Sequence, residues 1–142
     1  MGRLADVASS DVPLFDMPEA RAVLADLLPT LDAVVALRAD AAELTAATRG
    51  GAYTSLGGLP ELKAAQARLD ELVTTIQARG AQLKGLAPLL LDFPAELDGV
   101  PVLLCWLEGD RELQWYHRHD LGLPGRRRLP DSPAATPPEP GL

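Results

Sequence analysis

The fold class of this 142-residue chain is decided by residues 101–118, which read PVLLCWLEGDRELQWYHR. Two apolar or alternating runs, 101–107 and 112–118, flank Gly109-Asp110, and this pattern predicts an antiparallel β-hairpin. With Gly109 in the first central position of a type II′ turn, the predicted pairs are Glu108 with Arg111, Trp106 with Leu113, Leu104 with Trp115, and Val102 with His117. This register places Trp106, Trp115 and His117 on one face of the sheet and Cys105 on the other.

A third apolar run precedes the hairpin. Residues 86–93 are followed by Pro94 and by Asp98-Gly99, which are turn signals. The region 85–120 is therefore predicted to be a three-stranded antiparallel β-meander.

Upstream of the meander the apolar spacing changes to that of helices. A capping box at Asp16-Met17-Pro18-Glu19 predicts the start of a helix that continues to about Thr48, with a kink at Pro29. A second helix is predicted from Pro60-Glu61 to Gly80, because its apolar residues occupy heptad a and d positions. The glycine-rich residues 49–58 connect the two helices.

Neither helix can bury its apolar stripe alone, so the two are expected to form a long antiparallel hairpin packed with the meander, an α+β fold. The predicted single domain covers residues 13–130: a helical hairpin (13–81), the meander (85–120) and a Gly/Arg segment (121–130). Residues 1–12 and the Pro-rich tail 131–142 are expected to be disordered. The hairpin stripe is also expected to mediate homodimerisation, in the manner of a coiled coil.

Composition excludes several classes of protein. A net charge of −7 disfavours nucleic-acid binding. The lone Cys105 excludes an intramolecular disulfide and any multi-cysteine cluster, as is typical of a reducing compartment. The chain shows neither a signal peptide nor a membrane-spanning segment, so a cytoplasmic protein is expected.

Several short motifs of the strand region occur in a recognisable order. They are Leu91-Asp92-Phe93-Pro94-Ala95, Asp98-Gly99, Leu104-Cys105-Trp106, an aromatic pair before His117, and Gly122 with Gly125-Arg126. Together with Met17-Pro18-Glu19-Ala20-Arg21 and Leu27-Leu28-Pro29, they resemble an uncharacterised bacterial family, domain of unknown function 2203. The resemblance covers roughly residues 13–130 and implies a fold, whereas it implies no activity.

The densest set of reactive side chains is residues 115–120, WYHRHD. A ligand pocket is predicted where five residues converge at one sheet edge: Asp92, Trp106, Trp115, His117 and Arg126. A divalent metal is the possible cofactor, with His117, Glu108 and Asp120 as candidate ligands. Against this, His117 can be a hydrogen-bonded core residue, and Cys105, flanked by leucines and tryptophan, is interpreted as a core residue rather than a nucleophile.

The leading functional hypothesis is a non-enzymatic interaction or small-ligand-binding module that self-associates through its helical hairpin, with a further protein partner as an option. The alternative is a divalent-metal-binding protein or metalloenzyme that uses His117 with nearby carboxylates. A third hypothesis, binding of nucleic acid or nucleotide through Arg126-Arg127-Arg128, is the weakest because the chain is acidic.

Overall fold

The computed structural model describes residues 14–130, which form two compact units. One unit contains residues 23–79, and the described part of the other contains residues 14–22 and 80–130. The described chain is α+β, with two α-helices and one five-stranded antiparallel sheet. The termini predicted to be disordered lie outside the described residues, and the assignment of residues 13–130 to a single domain stays a prediction.

The first helix, α1, runs from Met17 to Gly50. Its N-terminus has the predicted capping box: the backbone N–H of Glu19 donates to the Asp16 carboxylate (2.8 Å), and the N–H of Asp16 donates to the Glu19 carboxylate (2.9 Å). Two otherwise unpaired donors at the helix start are thereby satisfied. Pro29 lies inside the continuous helix, and the kink predicted there stays a prediction.

The second helix, α2, runs from Leu59 to Ala78. It stops just before Gly80, which has a φ of 94°, as predicted for a glycine that ends a helix. Arg79 donates to the carboxylate of Asp26 (3.0 Å), so the end of α2 lies beside the N-terminal part of α1, as in an antiparallel pair. The apolar residues buried in this unit are Leu24, Leu27, Leu31, Val34, Leu44, Leu62, Leu72 and Ile76.

The sheet is a meander whose spatial order is its chain order. Its strands are β1 (Gln82–Leu86), β2 (Leu89–Leu97), β3 (Val100–Leu107), β4 (Trp115–Arg118) and β5 (Arg127–Arg128). The sheet thus has two strands more than the predicted three-stranded meander. The sequence pattern missed β1 because it contains Lys84 and Gly85, and it missed β5 because two arginines form no apolar run.

The turn between β2 and β3 is the one predicted at Asp98-Gly99. Both residues have positive φ, 51° and 78°, and the flanking residues Leu97 and Val100 pair directly. Positive φ at both central positions is what a two-residue type I′ turn requires, and Asp-Gly supplies it at low cost.

Pro94, which the pattern treats as a break, lies within β2 opposite Leu103. Its carbonyl accepts a hydrogen bond from the backbone N–H of Phe15 (2.7 Å). The nitrogen and oxygen of one strand residue project to the same side, so the proline nitrogen faces Phe15 and the ladder with β3 is intact. The Phe15 ring also packs edge-on against Phe93, with centroids 5.3 Å apart.

The interior of the sheet unit is mostly aliphatic. Its fully buried large side chains include Phe93, Leu89, Leu91, Leu104, Leu113 and Leu129. Within residues 14–130, neither helix contains a stretch long and apolar enough to cross a lipid bilayer.

Candidate functional site

One face of the three central strands contains a buried acid, thiol and imidazole. Asp92 on β2 lies directly opposite Cys105 on β3, and His117 on β4 lies opposite Leu103, two residues along the strand from Cys105. Because side chains alternate along a strand, Asp92, Cys105 and His117 project to the same side. Their exposed fractions are 2%, 0% and 3%.

The predicted register between β3 and β4 was wrong by one residue. The structure pairs Leu103, and not Val102, with His117, and Cys105 with Trp115. A one-residue shift moves every side chain of a strand to the other face. Cys105 therefore shares a face with His117, whereas Trp106, predicted on that face, lies on the opposite one.

The turn after β3 explains the shift. The N–H of Asp110 donates to the carbonyl of Leu107 (2.8 Å), and the Asp110 carboxylate accepts from the N–H of Leu107 (2.9 Å). Gly109, with φ of 102°, therefore occupies the second central position of the turn and not the predicted first one. Pairing with β4 resumes only at Trp115, so the connection is longer than a two-residue hairpin loop.

The orientation of His117 follows from its two hydrogen-bonding nitrogens. Nδ1 lies 2.8 Å from the carbonyl oxygen of Arg118. A carbonyl only accepts, so Nδ1 carries a proton. In the neutral ring with its proton on Nδ1, Nε2 carries a lone pair. This nitrogen lies 3.2 Å from a carboxylate oxygen of Asp92. A doubly protonated ring would instead donate from Nε2 to this oxygen, so the same nitrogen can bind either a proton or a metal ion.

The Cys105 thiol completes a three-donor cluster, because one nitrogen, one sulfur and one oxygen of His117, Cys105 and Asp92 all lie within 4.8 Å of one another. Burial raises the pKa of the Cys105 thiol to about 12, with the charge of Asp92 acting in the same direction and that of Arg126 in the opposite one. The thiol is therefore protonated at neutral pH, and this environment does not activate it as a nucleophile. A bound metal ion reverses this preference, since a coordinating thiol is deprotonated.

The two oxygens of Asp92 have different neighbours. Oδ1 faces His117, and Oδ2 lies 3.4 Å from the ammonium of Lys84, an exposed residue at an irregularity in β1. The lysine thus holds one oxygen while the other is directed at the imidazole.

An aromatic and cationic group lies beside the cluster. Trp115 is the cross-strand partner of Cys105, and the guanidinium groups of Arg126 and Arg128 lie 4.4 and 4.9 Å from the centre of its ring. Arg126 also forms an ion pair with Asp110 (3.0 Å). These distances are those of cation–π contacts.

The pocket predicted from five residues stays a prediction. Asp92 and His117 face each other, and Arg126 lies over Trp115, the cross-strand partner of Cys105. Trp106 lies on the other face, where its indole N–H donates to the carbonyl of Asp110 (3.0 Å).

Of the predicted metal ligands, only His117 belongs to the three-donor cluster. The Glu108 carboxylate accepts from the N–H of Leu89 (2.9 Å). The exposed Asp120 pairs with Arg118 (2.9 Å). Sequence reasoning assigned Cys105 to the wrong face of the sheet. The alternation of side chains along a strand would have placed Cys105 on the same face as Asp92 and His117 only if the register between the strands had been known.

The profile of a family described as an uncharacterized conserved protein (DUF2203) matches residues 13–129. Comparisons with curated proteins and with solved structures gave no match.

Proposed function

The chain belongs to the uncharacterized conserved protein family DUF2203, and we propose that it is a divalent-metal-binding protein whose ligands are Asp92, Cys105 and His117. The observation that carries the proposal is the convergence of one nitrogen, one sulfur and one oxygen donor within 4.8 Å in a buried place. The ligand atoms of a tetrahedral zinc site are about 3.3–3.8 Å apart, given metal–ligand distances of about 2.0–2.3 Å. At most about 1.5 Å separates the distances between donor atoms in the structure from that geometry.

The hydrogen bonds around the donors support the proposal. A metal-binding histidine commonly donates its second N–H to a backbone carbonyl, which directs the other nitrogen at the metal. The Nδ1 of His117 has such a partner in the carbonyl of Arg118, and its Nε2 faces the cluster. The ammonium of Lys84 likewise contacts Oδ2 of Asp92, which leaves Oδ1 directed at the cluster.

The donor set favours zinc. Mg²⁺ and Ca²⁺ prefer all-oxygen sites, whereas imidazole with thiolate suits zinc and other late first-row metals. A carboxylate and a thiolate would also neutralise the charge of a dication, which a buried site requires. Three protein ligands leave one position of a tetrahedral zinc ion open, as in zinc enzymes and unlike closed structural sites.

The first experiment is to measure bound metal by elemental mass spectrometry, in protein purified without chelator and again after incubation with zinc and desalting. Wild-type protein is expected to hold about one zinc per chain, and Asp92→Asn far less. In Asp92→Asn the amide can still donate to Nε2 of His117, so the variant is expected to stay folded. His119→Ala is the matched control, because His119 is exposed and lies outside the cluster.

A second measurement tests the thiolate ligand. Cobalt(II)-loaded wild-type protein is expected to show thiolate-to-metal charge-transfer absorption in the near ultraviolet, and Cys105→Ala is expected to lose it. Wild-type protein that takes up neither zinc nor cobalt would show instead that the cluster is a proton-sharing network of the core, and would overturn the proposal.

Self-association through the helical hairpin stays a prediction. Its support is that several large apolar side chains of the helical unit are exposed, among them Leu28, Leu59 and Tyr53. Light scattering on the purified protein measures it directly, and a monomeric mass at high concentration would contradict it.

A further inference from the structure

Arg126 lies next to the three-donor cluster and is held in place. Its guanidinium stacks on Trp115, the direct cross-strand neighbour of Cys105, and its Nη2 atom donates to Asp110. The side chain is 13% exposed. An arginine fixed in this way loses little conformational freedom when it binds a ligand.

Two of the three guanidinium nitrogens of Arg126 are available to donate hydrogen bonds to a ligand. Both of its hydrogen bonds to Asp110 come from Nη2. Within residues 14–130, neither Nε nor Nη1 of Arg126 has a hydrogen-bond acceptor. These two atoms are donors of the planar guanidinium that binds carboxylate and phosphate groups through paired hydrogen bonds.

The charges around the cluster favour an anion. A bound dication would be neutralised by the Asp92 carboxylate and the Cys105 thiolate. Lys84 and Arg126 then add two positive charges beside the cluster, and Asp110 balances one of them. In surroundings of low dielectric, a net positive charge attracts an anionic ligand more strongly than a neutral one.

We propose, on the premise that the cluster binds a metal, that the open coordination position takes an oxyanion of a carboxylate or phosphate compound. One oxygen of the ligand binds the metal, and another accepts hydrogen bonds from Arg126. The substrate or effector of the site is therefore an organic acid or a phosphorylated molecule.

The test uses cobalt(II)-loaded full-length protein, whose visible absorption reports on the coordination of the metal. Titration with acetate and, separately, with inorganic phosphate is expected to change the spectrum of the wild-type protein saturably. The anion that binds more tightly identifies the class of oxyanion. Arg126→Gln is expected to weaken this binding by about 10-fold or more, the size of a lost charge-assisted hydrogen bond. Arg127→Gln, which alters the exposed neighbouring arginine, is the matched control and is expected to bind as wild type does.

The outcomes separate this inference from its premise. If wild-type protein fails to load cobalt, the metal-binding proposal fails and this inference falls with it. If cobalt binds but neither anion changes the spectrum, or if Arg126→Gln binds both anions as wild type does, only the oxyanion inference is overturned. Circular dichroism and cobalt loading check that Arg126→Gln is folded. Should it not be, Arg126→Lys keeps the positive charge without the planar guanidinium and is still expected to weaken anion binding.

Discussion

Cys105 and His117 project from the same face of the sheet, because His117 pairs with Leu103, which is two residues from Cys105 along β3. Asp92 lies opposite Cys105 on the neighbouring strand β2. One ligand atom from each of three residues that are 12 or more positions apart in the chain thereby lies within 4.8 Å of the other two. The proposed metal site depends on this one relationship between strands.

Zinc is expected to stabilise the protein against heat. A ligand that binds the folded state raises the free energy of unfolding by an amount that grows with its concentration over its dissociation constant, about 2.7 kcal/mol at a hundredfold excess over that constant. Zinc should therefore raise the Tm of chelator-treated wild-type protein, as measured by calorimetry. Asp92→Asn should show no comparable increase. An equal increase in both proteins would point to zinc binding elsewhere.

The Cys105 thiol is expected to resist modification in the metal-free native protein. It is fully buried, and its pKa is raised to about 12. A colorimetric thiol reagent at pH 8 should react slowly with native protein and rapidly in denaturant. Rapid reaction of the native protein would contradict the burial of this side chain.

The same pKa predicts how stability depends on pH in the metal-free protein. The pKa of the thiol rises from an ordinary value of 9.0 to about 12 on folding, so the unfolded chain loses this proton first as pH rises. Ionisation of this thiol leaves the free energy of unfolding unchanged below about pH 9. Between pH 9 and 12 it lowers the free energy of unfolding by about 1.4 kcal/mol per pH unit. Denaturant unfolding at pH 8 and 10.5 should show a larger loss of stability for wild type than for Cys105→Ala. Equal losses would contradict the raised pKa.

Gly109→Ala is expected to lower the free energy of unfolding by about 1–2 kcal/mol. Space does not limit this substitution, because an added Cβ would meet nothing within 4 Å, but the φ of 102° is unfavourable for any residue with a side chain. Gly50→Ala is the control, since it is equally open and lacks a positive φ. Similar unfolding midpoints for the two variants would mean that the turn after β3 does not have this backbone conformation.

Leu104→Ala is expected to cost about 2–5 kcal/mol of unfolding free energy, because Leu104 is fully buried at the centre of β3. The same strand offers a control in Val100, which is 50% exposed, and Val100→Ala should cost less than about 1 kcal/mol. Urea unfolding of both variants measures the difference. Equal costs would place Leu104 outside the core.

Removal of the Asp16 side chain is expected to destabilise α1. Asp16→Ala deletes the acceptor for the backbone N–H of Glu19 and should cost about 1 kcal/mol. Asp32→Ala, an exposed substitution inside the same helix, should have no such cost, since alanine favours helix. A larger effect for Asp32→Ala in thermal unfolding would contradict this capping interaction.

Local signals in the sequence were sufficient to predict both helices and the turn at Asp98-Gly99. The capping box at Asp16 and the stop at Gly80 act through neighbouring residues, so their chemistry can be read from the order of the amino acids. The apolar alternation likewise predicts strands in the second half of the chain. The α+β class follows from these two periodicities.

The composition of the cluster was decided by the tertiary structure. Whether Cys105 faces His117 depends on one residue of register, and that register depends on a turn in which the Asp110 carboxylate binds the backbone of Leu107. Such a contact has no signature in hydrophobic periodicity. The strand β1 and the two-residue β5 pair with β2 and β4, whose backbone groups on that side they satisfy, and this pairing also has no signature in hydrophobic periodicity. The sequence therefore determined which side chains of metal-binding type the chain contains. The register between strands decided which of them meet, because each side chain's face is defined only relative to the neighbouring strand.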